Sequence, residues 1–358
     1  MNKLFLIGNG FDLAHNLKTG YKDFIIWYFN QAIDSYVKNG QYSDQYFIHR
    51  IIKLPPNCLR VTSIEEIHSL SRKGERGNFI NLLGPLPQRI IDDLSSNNWV
   101  DLEIIYYQVV LEEIRRVDTD LKTKIRSIEW FNKSLEFLKE KLIEYLKSIE
   151  IPNKNINIEN HFLKEFNKNR KEKERAEIQK QIFLSNEMTY DILFVSFNYT
   201  NLLSRYKNSG LVLYGLKIDF INIHGSLEDL QNPIIFGYGD EMEEHYKTIE
   251  NFNENEFLKN MKSFGYFQSQ YYKTILNFIN DSEFEVHLMG HSCGISDRVL
   301  LNSIFEHRNC KSIQIYYHKK SETENNFKEL TMNISRHFNK KQLMRDRIVP
   351  FNLCLPLS

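Results

Sequence analysis

The feature that most constrains the fold is an apolar run at residues 3–7 (KLFLI), which stops at Gly8-Asn9-Gly10. A short apolar segment ended by glycines predicts a buried strand that finishes in a turn. Residues 11–36 then carry aromatic side chains at helical spacing, so we expect a helix to follow the turn. The order strand, glycine turn, helix is typical of a nucleotide-binding α/β unit.

The other strand patterns lie late in the chain. Five short runs rich in Ile, Val and Phe are each bounded by glycine or polar residues, and they occupy 191–197, 220–225, 233–239, 285–292 and 312–318. The intervening stretch has almost no strand signal and shows helical periodicity, most clearly at 100–116 and 130–149. The sequence therefore predicts an α/β fold, Rossmann-like, with a mostly parallel sheet and a large helical insertion. The predicted domains are a nucleotide-binding domain at 1–24 and 186–358 and the insertion at 25–185.

Predictions for the remaining segments are less specific. The charged run at 168–181 is expected to form an exposed helix face, because it mixes both signs of charge. Residues 241–283 are predicted to be helical, and a helix at 326–338 is expected to precede an extended tail.

Composition excludes several classes of protein. Lys plus Arg and Asp plus Glu are 46 each, and this neutral balance does not support a nucleic-acid binder that uses its whole surface. The four cysteines form no C-x-x-C pair, which favours free thiols over a disulfide framework or a zinc site. The first apolar run is too short for a signal peptide, and no segment approaches the roughly 18 apolar residues of a membrane span. We therefore expect a cytoplasmic protein with no membrane partner.

Unusual residues are concentrated where the predicted strands end, which is where an open α/β sheet binds its ligands. Asn198 could orient a water or a ribose hydroxyl, and His224 could accept a proton near neutral pH. Either residue alone could be structural, but the pair beside small residues predicts a functional site. The strand ends concerned are 8–12, 196–199, 224–226, 237–241 and 290–292.

The first glycine turn leaves two interpretations open. Gly8 and Gly10 would let the backbone approach a phosphate, and the next helix would offer its N-terminal amides. However, the third glycine of the dinucleotide fingerprint is replaced by Leu13, and Asp12 would repel an anion. A plain turn in which Asp12 caps the helix fits the same residues.

The segment 290–294 fits G-x-S-x-G, the pattern of a nucleophile elbow that exposes a serine, here Ser292. His307, His318 and His337 follow as candidate partners, but little chain remains to complete a hydrolase sheet. The favoured alternative is that Gly290 and Ser292 bind a ribose or phosphate, with Ser296 or Asp297 capping the next helix. A magnesium site built from carboxylates is disfavoured because no D-x-D or His/Asp cluster supports it; the carboxylates considered are Asp12, Asp240, Glu241 and Asp297.

Five blocks together resemble a known family. The segments 7–24, 194–203, 221–226, 234–241 and 289–305 are similar to the recurring blocks of AbiH-type abortive-infection proteins of bacteriophage defence. The same layout is distantly similar to sirtuin-like NAD-binding domains, with departures at Asp12, Thr200 and His291. The resemblance implies NAD as the substrate, hydrolysed at the nicotinamide–ribose bond by an NAD⁺ glycohydrolase, with no metal required.

The predicted site follows from the strand ends and this resemblance. Asn198 and His224 are the predicted catalytic residues, and Asp12 is expected to face the positive charge that develops on the sugar. The alternatives are a serine- or metal-dependent hydrolase or nuclease toxin, and a non-catalytic nucleotide-binding sensor. Expected partners are NAD⁺ or a related nucleotide, a phage-derived trigger protein and a second copy of the chain. The predicted nucleotide-binding residues are Gly8, Asn9, Gly10, Phe11, Ser196, Gly225, Ser226, Gly290, His291, Ser292 and Asp297.

Overall fold

The fold is built from eight strands and thirteen α-helices in the part of the chain that the structure describes. This computed structural model describes residues 1–55, 58–72, 79–96, 101–179, 191–207, 216–238 and 245–358, and only the backbone of 169–179. The strands are β1 Asn2–Ile7, β2 Ile48–Ile51, β3 Ile80–Leu82, β4 Ile192–Ser196, β5 Ile218–Asn222, β6 Phe284–Met289, β7 Cys310–Tyr317 and β8 Leu355–Pro356. The helices are α1 Asn9–Leu13, α2 Tyr21–Asn39, α3 Ile64–Ser71, α4 Pro85–Ser96, α5 Leu102–Arg115, α6 Leu121–Lys147, α7 Ile156–Gln179, α8 Tyr246–Glu250, α9 Lys262–Tyr266, α10 Tyr271–Asp281, α11 Arg298–Phe305, α12 Phe327–Ser335 and α13 Lys341–Arg347.

Six strands form one parallel sheet in the order β5-β4-β1-β6-β7-β8. The chain builds outward from β1 on one side and then restarts beside β1 on the other, which is the strand order of a Rossmann fold. The predicted α/β, Rossmann-like class is therefore confirmed. The reversal of strand order lies between β1 and β6, where ligands of such sheets bind.

The strand register sets four strand ends at one level. Ile7 of β1 pairs with Ser196 of β4 and with Met289 of β6, and Ser196 pairs in turn with Asn222 of β5. These four residues are the last of their strands. The chain therefore leaves β5, β4, β1 and β6 at the same edge of the sheet.

The described residues divide into two compact units. The first comprises Met1–Leu17, Glu150–Ile235 and Lys262–Ser358, and it contains the parallel sheet. Within it, Phe162 and Phe166 of α7 pack against Phe5 of β1 with ring centroids 5.5 and 6.4 Å apart. A second apolar cluster includes Leu6, Ile304 of α11 and Ile334 of α12, all fully buried. Large apolar side chains thus stabilise the sheet, as burial of each contributes about 1.5–3 kcal/mol.

The second unit comprises Lys18–Ile149 and Phe236–Met261 and is mainly helical. Its longest helix, α6, buries the stripe that sequence periodicity predicted, including Phe131, Leu135, Leu138 and Leu142. The two units are defined only by which residues pack together. They do not test the predicted domain boundaries at 24/25 and 185/186, which stay a prediction. The second of these boundaries lies outside the described residues.

Four details differ from the sequence predictions. The predicted helix over 11–36 is interrupted at residues 14–20, where Asn16 has a left-handed φ of 61°. The strands β2 and β3 form an antiparallel pair inside the stretch expected to be helical. Residues 233–238 form no strand, although Phe236 and Tyr238 are buried. The expected extended tail contains α13 and the short strand β8.

Candidate active site

The four strand ends carry polar side chains at equivalent positions. Asn9, Asn198, His224 and His291 each lie two residues beyond the last paired residue of β1, β4, β5 and β6. The ladder continues briefly past the strands, since Phe197 N–H donates to the Ile7 carbonyl and Ile223 N–H donates to the Ser196 carbonyl, both at 2.9 Å. The sheet therefore delivers these predicted site residues to one edge.

The loops after β1 and β6 contact each other backbone to backbone. A Cβ placed on Gly8 would lie 2.5 Å from His291 Cα, and one on Gly10 would lie 2.8 Å from Gly290 Cα. A Cβ on Gly290 would lie 2.1 Å from the Phe11 nitrogen, and Gly290 also has a φ of +74°. No side chain fits at these three positions, because the opposite loop occupies the space.

This contact accounts for the glycine turn without a bound phosphate. The Gly10 N–H donates to the Gly290 carbonyl at 2.8 Å, and the Gly8 N–H donates to the Met289 carbonyl at 3.1 Å. The helix that follows, α1, spans only five residues. The amides of Gly8 and Gly10 are thus engaged within the protein.

Asp12 anchors the loop after β4 to α1. Its Oδ1 accepts a hydrogen bond from Asn198 Nδ2 at 2.8 Å, and its Oδ2 accepts one from Thr200 Oγ1 at 2.7 Å. Asn198 Nδ2 also donates to the Gly8 carbonyl at 3.1 Å. Burial raises the pKa of the Asp12 carboxyl to about 7, although these two donors oppose the effect. Both amide hydrogens of Asn198 are therefore used, which fixes the direction of its side-chain oxygen.

A second buried cluster surrounds Asp297. Its Oδ1 lies 3.1 Å from His224 Nε2 and 3.0 Å from Lys262 Nζ. The Tyr266 hydroxyl lies 3.2 Å from the same nitrogen of His224. Burial alone would raise the pKa of Asp297, but Lys262 and the neighbouring histidines hold that pKa well below its usual range. Asp297 is thus a buried carboxylate that stays ionised beside a histidine.

His291 belongs to the same cluster and has a defined tautomer. Its Nδ1 accepts a hydrogen bond from the Cys293 N–H at 3.0 Å, so its proton resides on Nε2, which lies 3.7 Å from Asp297 Oδ2. Burial lowers the pKa of His291 to about 4, against the opposing charge of Asp297. His291 is therefore neutral near pH 7 and presents an N–H to the carboxylate.

The segment 290–294, which fits the pattern of a nucleophile elbow, lacks the geometry of one among the described residues. The left-handed residue is Cys293, with a φ of 54°, rather than Ser292. His337 Nε2 donates to the Cys293 carbonyl at 2.8 Å, and His307 Nε2 contacts Asn280 at 3.3 Å. No described histidine hydrogen-bonds the Ser292 hydroxyl, and the Ser292 carbonyl is held by Asn333 Nδ2 at 2.9 Å. These contacts favour a structural role for the turn.

The remaining predicted residues occupy varied positions. Phe11 is fully buried and packs against Phe162, and Ser196 Oγ accepts a hydrogen bond from the Asn198 N–H at 3.2 Å. Gly225 has a φ of +85° and approaches the Pro233 carbonyl so closely that no Cβ fits. The Ser226 N–H donates to the Asn232 carbonyl at 3.0 Å. Their predicted part in nucleotide binding stays a prediction.

The carboxylates considered for magnesium do not converge among the described residues. Asp12 is bonded to Asn198 and Thr200, and Asp297 is bonded to Lys262 and His224. Asp240 and Glu241 lie outside the described residues.

A different group of potential ligands lies on β6 and α7, where atoms of Glu165, Glu285 and His287 come within 4.8 Å of one another. The Lys3 ammonium lies 2.7 Å from Glu285 and 3.1 Å from Glu165, so a lysine already supplies the cation there.

Sequence reasoning missed three residues of the site. Thr200 had been noted only as a departure from the sirtuin-like pattern, and Lys262 and Tyr266 lie in a stretch predicted only to be helical. A strand-end signal could not find them, because Lys262 and Tyr266 come from α9 and meet His224 only in the folded chain. A buried lysine, 1% exposed, is the kind of residue that needs an acidic partner.

Fold and site define an α/β protein of Rossmann-like strand order whose polar cluster lies at the carboxyl ends of its parallel strands. The chain matches the family model described as bacteriophage abortive infection AbiH over residues 4–319. It therefore belongs to that family, and its role is in phage abortive infection. No curated protein and no solved structure matches the chain. None of the described helices combines the length and the apolar character needed to cross a membrane.

Proposed function

We propose that this protein is an abortive-infection effector that hydrolyses NAD⁺ at the nicotinamide–ribose bond, using Asn198 and His224. The observation that carries the proposal is the His224–Asp297 pair, in which a buried ionised carboxylate lies 3.1 Å from a histidine at the carboxyl edge of the sheet. Titratable groups whose pKa values are strongly perturbed by burial and a charged partner cluster at functional sites. The Rossmann-like strand order favours a nucleotide as the ligand.

His224 is the general base of the proposed reaction. With the Nε2 proton directed at Asp297, the ring carries a lone pair on Nδ1, the arrangement that a base requires. Water adds to C1′ of the ribose, the C1′–nitrogen bond breaks, and nicotinamide leaves as a neutral molecule. The proton of the attacking water passes to His224, and the Asp297 carboxylate stabilises the imidazolium that forms.

Asn198 supplies orientation. Because its amide nitrogen donates to Gly8 and Asp12, its side-chain oxygen is held ready to accept a hydrogen bond from water or a ribose hydroxyl. A side chain fixed in this way loses little entropy on binding. Asp12, 1% exposed and bonded at both oxygens, positions Asn198 rather than facing the sugar as first expected.

The Asp12–Thr200 hydrogen bond also supports the sirtuin-like comparison. That resemblance expects a hydroxyl at position 12 and a carboxylate at position 200, and this chain has each in the other's place. The two side chains are hydrogen-bonded at 2.7 Å, so the hydroxyl and the carboxylate have exchanged positions within one hydrogen-bonded pair. Two of the three departures therefore count less against an NAD⁺ site than the sequence alone suggested.

The test is NAD⁺ consumption by the purified chain, alone and with extract of infected cells. We expect nicotinamide and ADP-ribose in equal amounts, with rates reduced about 100-fold or more in Asn198→Ala and His224→Ala, since loss of a general base typically costs 10²–10⁴-fold. His318→Ala is the matched control, because His318 is exposed. The proposal is wrong if the wild-type chain leaves NAD⁺ intact under both conditions. Full phage protection by both alanine variants would instead indicate a non-catalytic sensor.

A further inference from the structure

The strongest feature that the proposed reaction does not yet use is Lys262. Its side chain is 1% exposed, and its ammonium lies 3.0 Å from Asp297 Oδ1, the same oxygen that His224 Nε2 contacts at 3.1 Å. Taking an ammonium out of water costs several kcal/mol unless a partner compensates, so this placement needs a reason. A cation and a histidine that share one carboxylate oxygen also affect each other's charge.

We propose that Lys262 is a positioning residue that keeps His224 uncharged and thus able to act as a base. The ammonium offsets the negative charge of Asp297, so this charge no longer favours the protonated form of His224. Without Lys262, Asp297 would be a buried carboxylate with no permanent cation beside it, and its charge would favour protonation of His224 to the imidazolium. The inference rests on the proposed function only for the role of His224 as the base.

The other groups around Asp297 do not replace Lys262. His291 faces Asp297 Oδ2 with a neutral N–H at 3.7 Å, and Tyr266 contributes a hydroxyl at 3.2 Å from His224. His337 is also close enough to interact with Asp297, but it donates its Nε2 proton to the Cys293 carbonyl. Burial raises the pKa of the nearby Cys293 thiol, which therefore stays neutral. Among these groups, Lys262 is the permanent cation.

The experiment follows the ring nitrogens of His224 by ¹⁵N NMR across a pH titration, which requires no NAD⁺. In Lys262→Met, which conserves volume, we expect the titration midpoint of His224 to rise by about one pH unit, as removal of a neighbouring positive charge predicts. The acidic midpoint of the pH profile of NAD⁺ hydrolysis would move up by the same amount. At a pH below both midpoints the hydrolysis rate of the variant would then be about tenfold lower than that of the wild type. Lys262→Arg keeps the charge and is expected to restore the wild-type midpoint.

A double variant keeps the test decisive if Lys262→Met folds poorly. Lys262→Met with Asp297→Asn removes both buried charges, and we expect its His224 midpoint at or below that of the wild type. The proposal is overturned if folded Lys262→Met titrates like the wild type, or if the double variant shows the upward shift expected of Lys262→Met. If the NMR shifts occur but NAD⁺ is not cleaved, only the proposed reaction fails.

Discussion

At the scale of single residues, Asp12 shows how burial changes the meaning of a sequence motif. Beside a glycine turn its charge argued against an anion site, yet the carboxyl is almost completely buried between Asn198 and Thr200. Its ordinary pKa of 3.8 rises to about 7 in the fold. Asp12 therefore takes up a proton on folding at mildly acidic pH and changes charge near neutrality.

This shift predicts a pH-dependent stability. A carboxyl group whose pKa is raised by folding does not lower the free energy of unfolding at a pH below its pKa in the unfolded chain. Its destabilising effect grows as the pH rises from about 4 to about 7. At pH 8 the cost is on the order of 4 kcal/mol, because each pKa unit corresponds to about 1.4 kcal/mol. Asp12→Asn keeps an oxygen for Asn198 and removes the charge. We expect its gain in unfolding free energy over the wild type, measured with denaturant, to be larger at pH 8 than at pH 5. An equal gain at both values would contradict the assignment.

Gly290 provides a second prediction at this scale, with Gly40 as a matched control. Both residues have a left-handed φ, +74° for Gly290 and +73° for Gly40. A Cβ on Gly290 would lie 2.1 Å from the Phe11 nitrogen, whereas a Cβ on Gly40 would have no atom within 4 Å. We expect Gly40→Ala to lose about 1 kcal/mol of unfolding free energy from backbone strain. Gly290→Ala should lose about 3 kcal/mol or more, because two backbones must separate. Similar losses in thermal or denaturant unfolding would show that the loops can part easily.

At the scale of elements, a buried lysine joins β1, β6 and α7. Lys3 on β1 pairs with Glu285 on β6 and Glu165 on α7, and its side chain is 1% exposed. Lys3→Met leaves two carboxylates facing each other, and we expect a loss of about 3 kcal/mol of unfolding free energy. Lys311→Met breaks an exposed pair with Glu283 at 2.7 Å and should cost less than about 1 kcal/mol. Addition of Glu285→Gln to Lys3→Met should recover part of the loss; a further fall would contradict the role of the ion pair.

The accuracy of the sequence predictions also varied by element. The strands β1 and β4 were predicted because buried parallel strands are nearly continuous apolar runs. The strands β5, β6 and β7 contain polar residues and were predicted from their content of β-branched and aromatic residues. The short strand β2, with sequence IHRI, was missed because His49 and Arg50 interrupt its apolar character.

The strand predicted at 233–239 is wrong over its described residues, 233–238, for the opposite reason, since the apolar residues Phe236 and Tyr238 are buried in a loop. There the Gly237 N–H donates to Glu103 Oε1 and the Tyr238 N–H to the Asn260 carbonyl. Burial can thus be read from sequence, whereas the partners of backbone groups cannot.

The same division applies to the candidate site. Asn198 and His224 could be predicted because each follows a strand, and parallel strands end at one edge. The bond of Thr200 to Asp12 and the contacts of Asp297 with His224 and Lys262 are tertiary contacts, and they set the charge of the site. Sequence therefore identified residues that lie together at the sheet edge but did not reveal how the charges around them are balanced.

At the scale of the whole molecule, the first compact unit extends beyond the family match. The match ends at residue 319, but Ile334 and Phe338 belong to the buried apolar cluster of the sheet. His337 and Asn333 also hold the carbonyls of Cys293 and Ser292 in the loop after β6. The last segment thus supports the sheet and one loop of the candidate site.

A chain that ends at Lys319 is therefore expected to fail to fold cooperatively. It would lose β8 and α12 and expose the apolar surface that Ile334 covers. Circular dichroism melting and the yield of soluble protein would measure this loss. Met332→Ala, at a half-exposed position on α12, should behave like the wild type within about 0.5 kcal/mol. A shortened chain with a wild-type melting curve would show that the segment is dispensable.

The close approach of the loops after β1 and β6 also has an evolutionary consequence. Gly8 and Gly10 lie at the start of the chain and Gly290 near its end, yet each leaves room only for the backbone of the other loop. A descendant that gained a side chain at position 290 would need a compensating change in the path of residues 8–11. An alignment of diverged family members should therefore show these three positions changing together or staying glycine together, as a single inherited character.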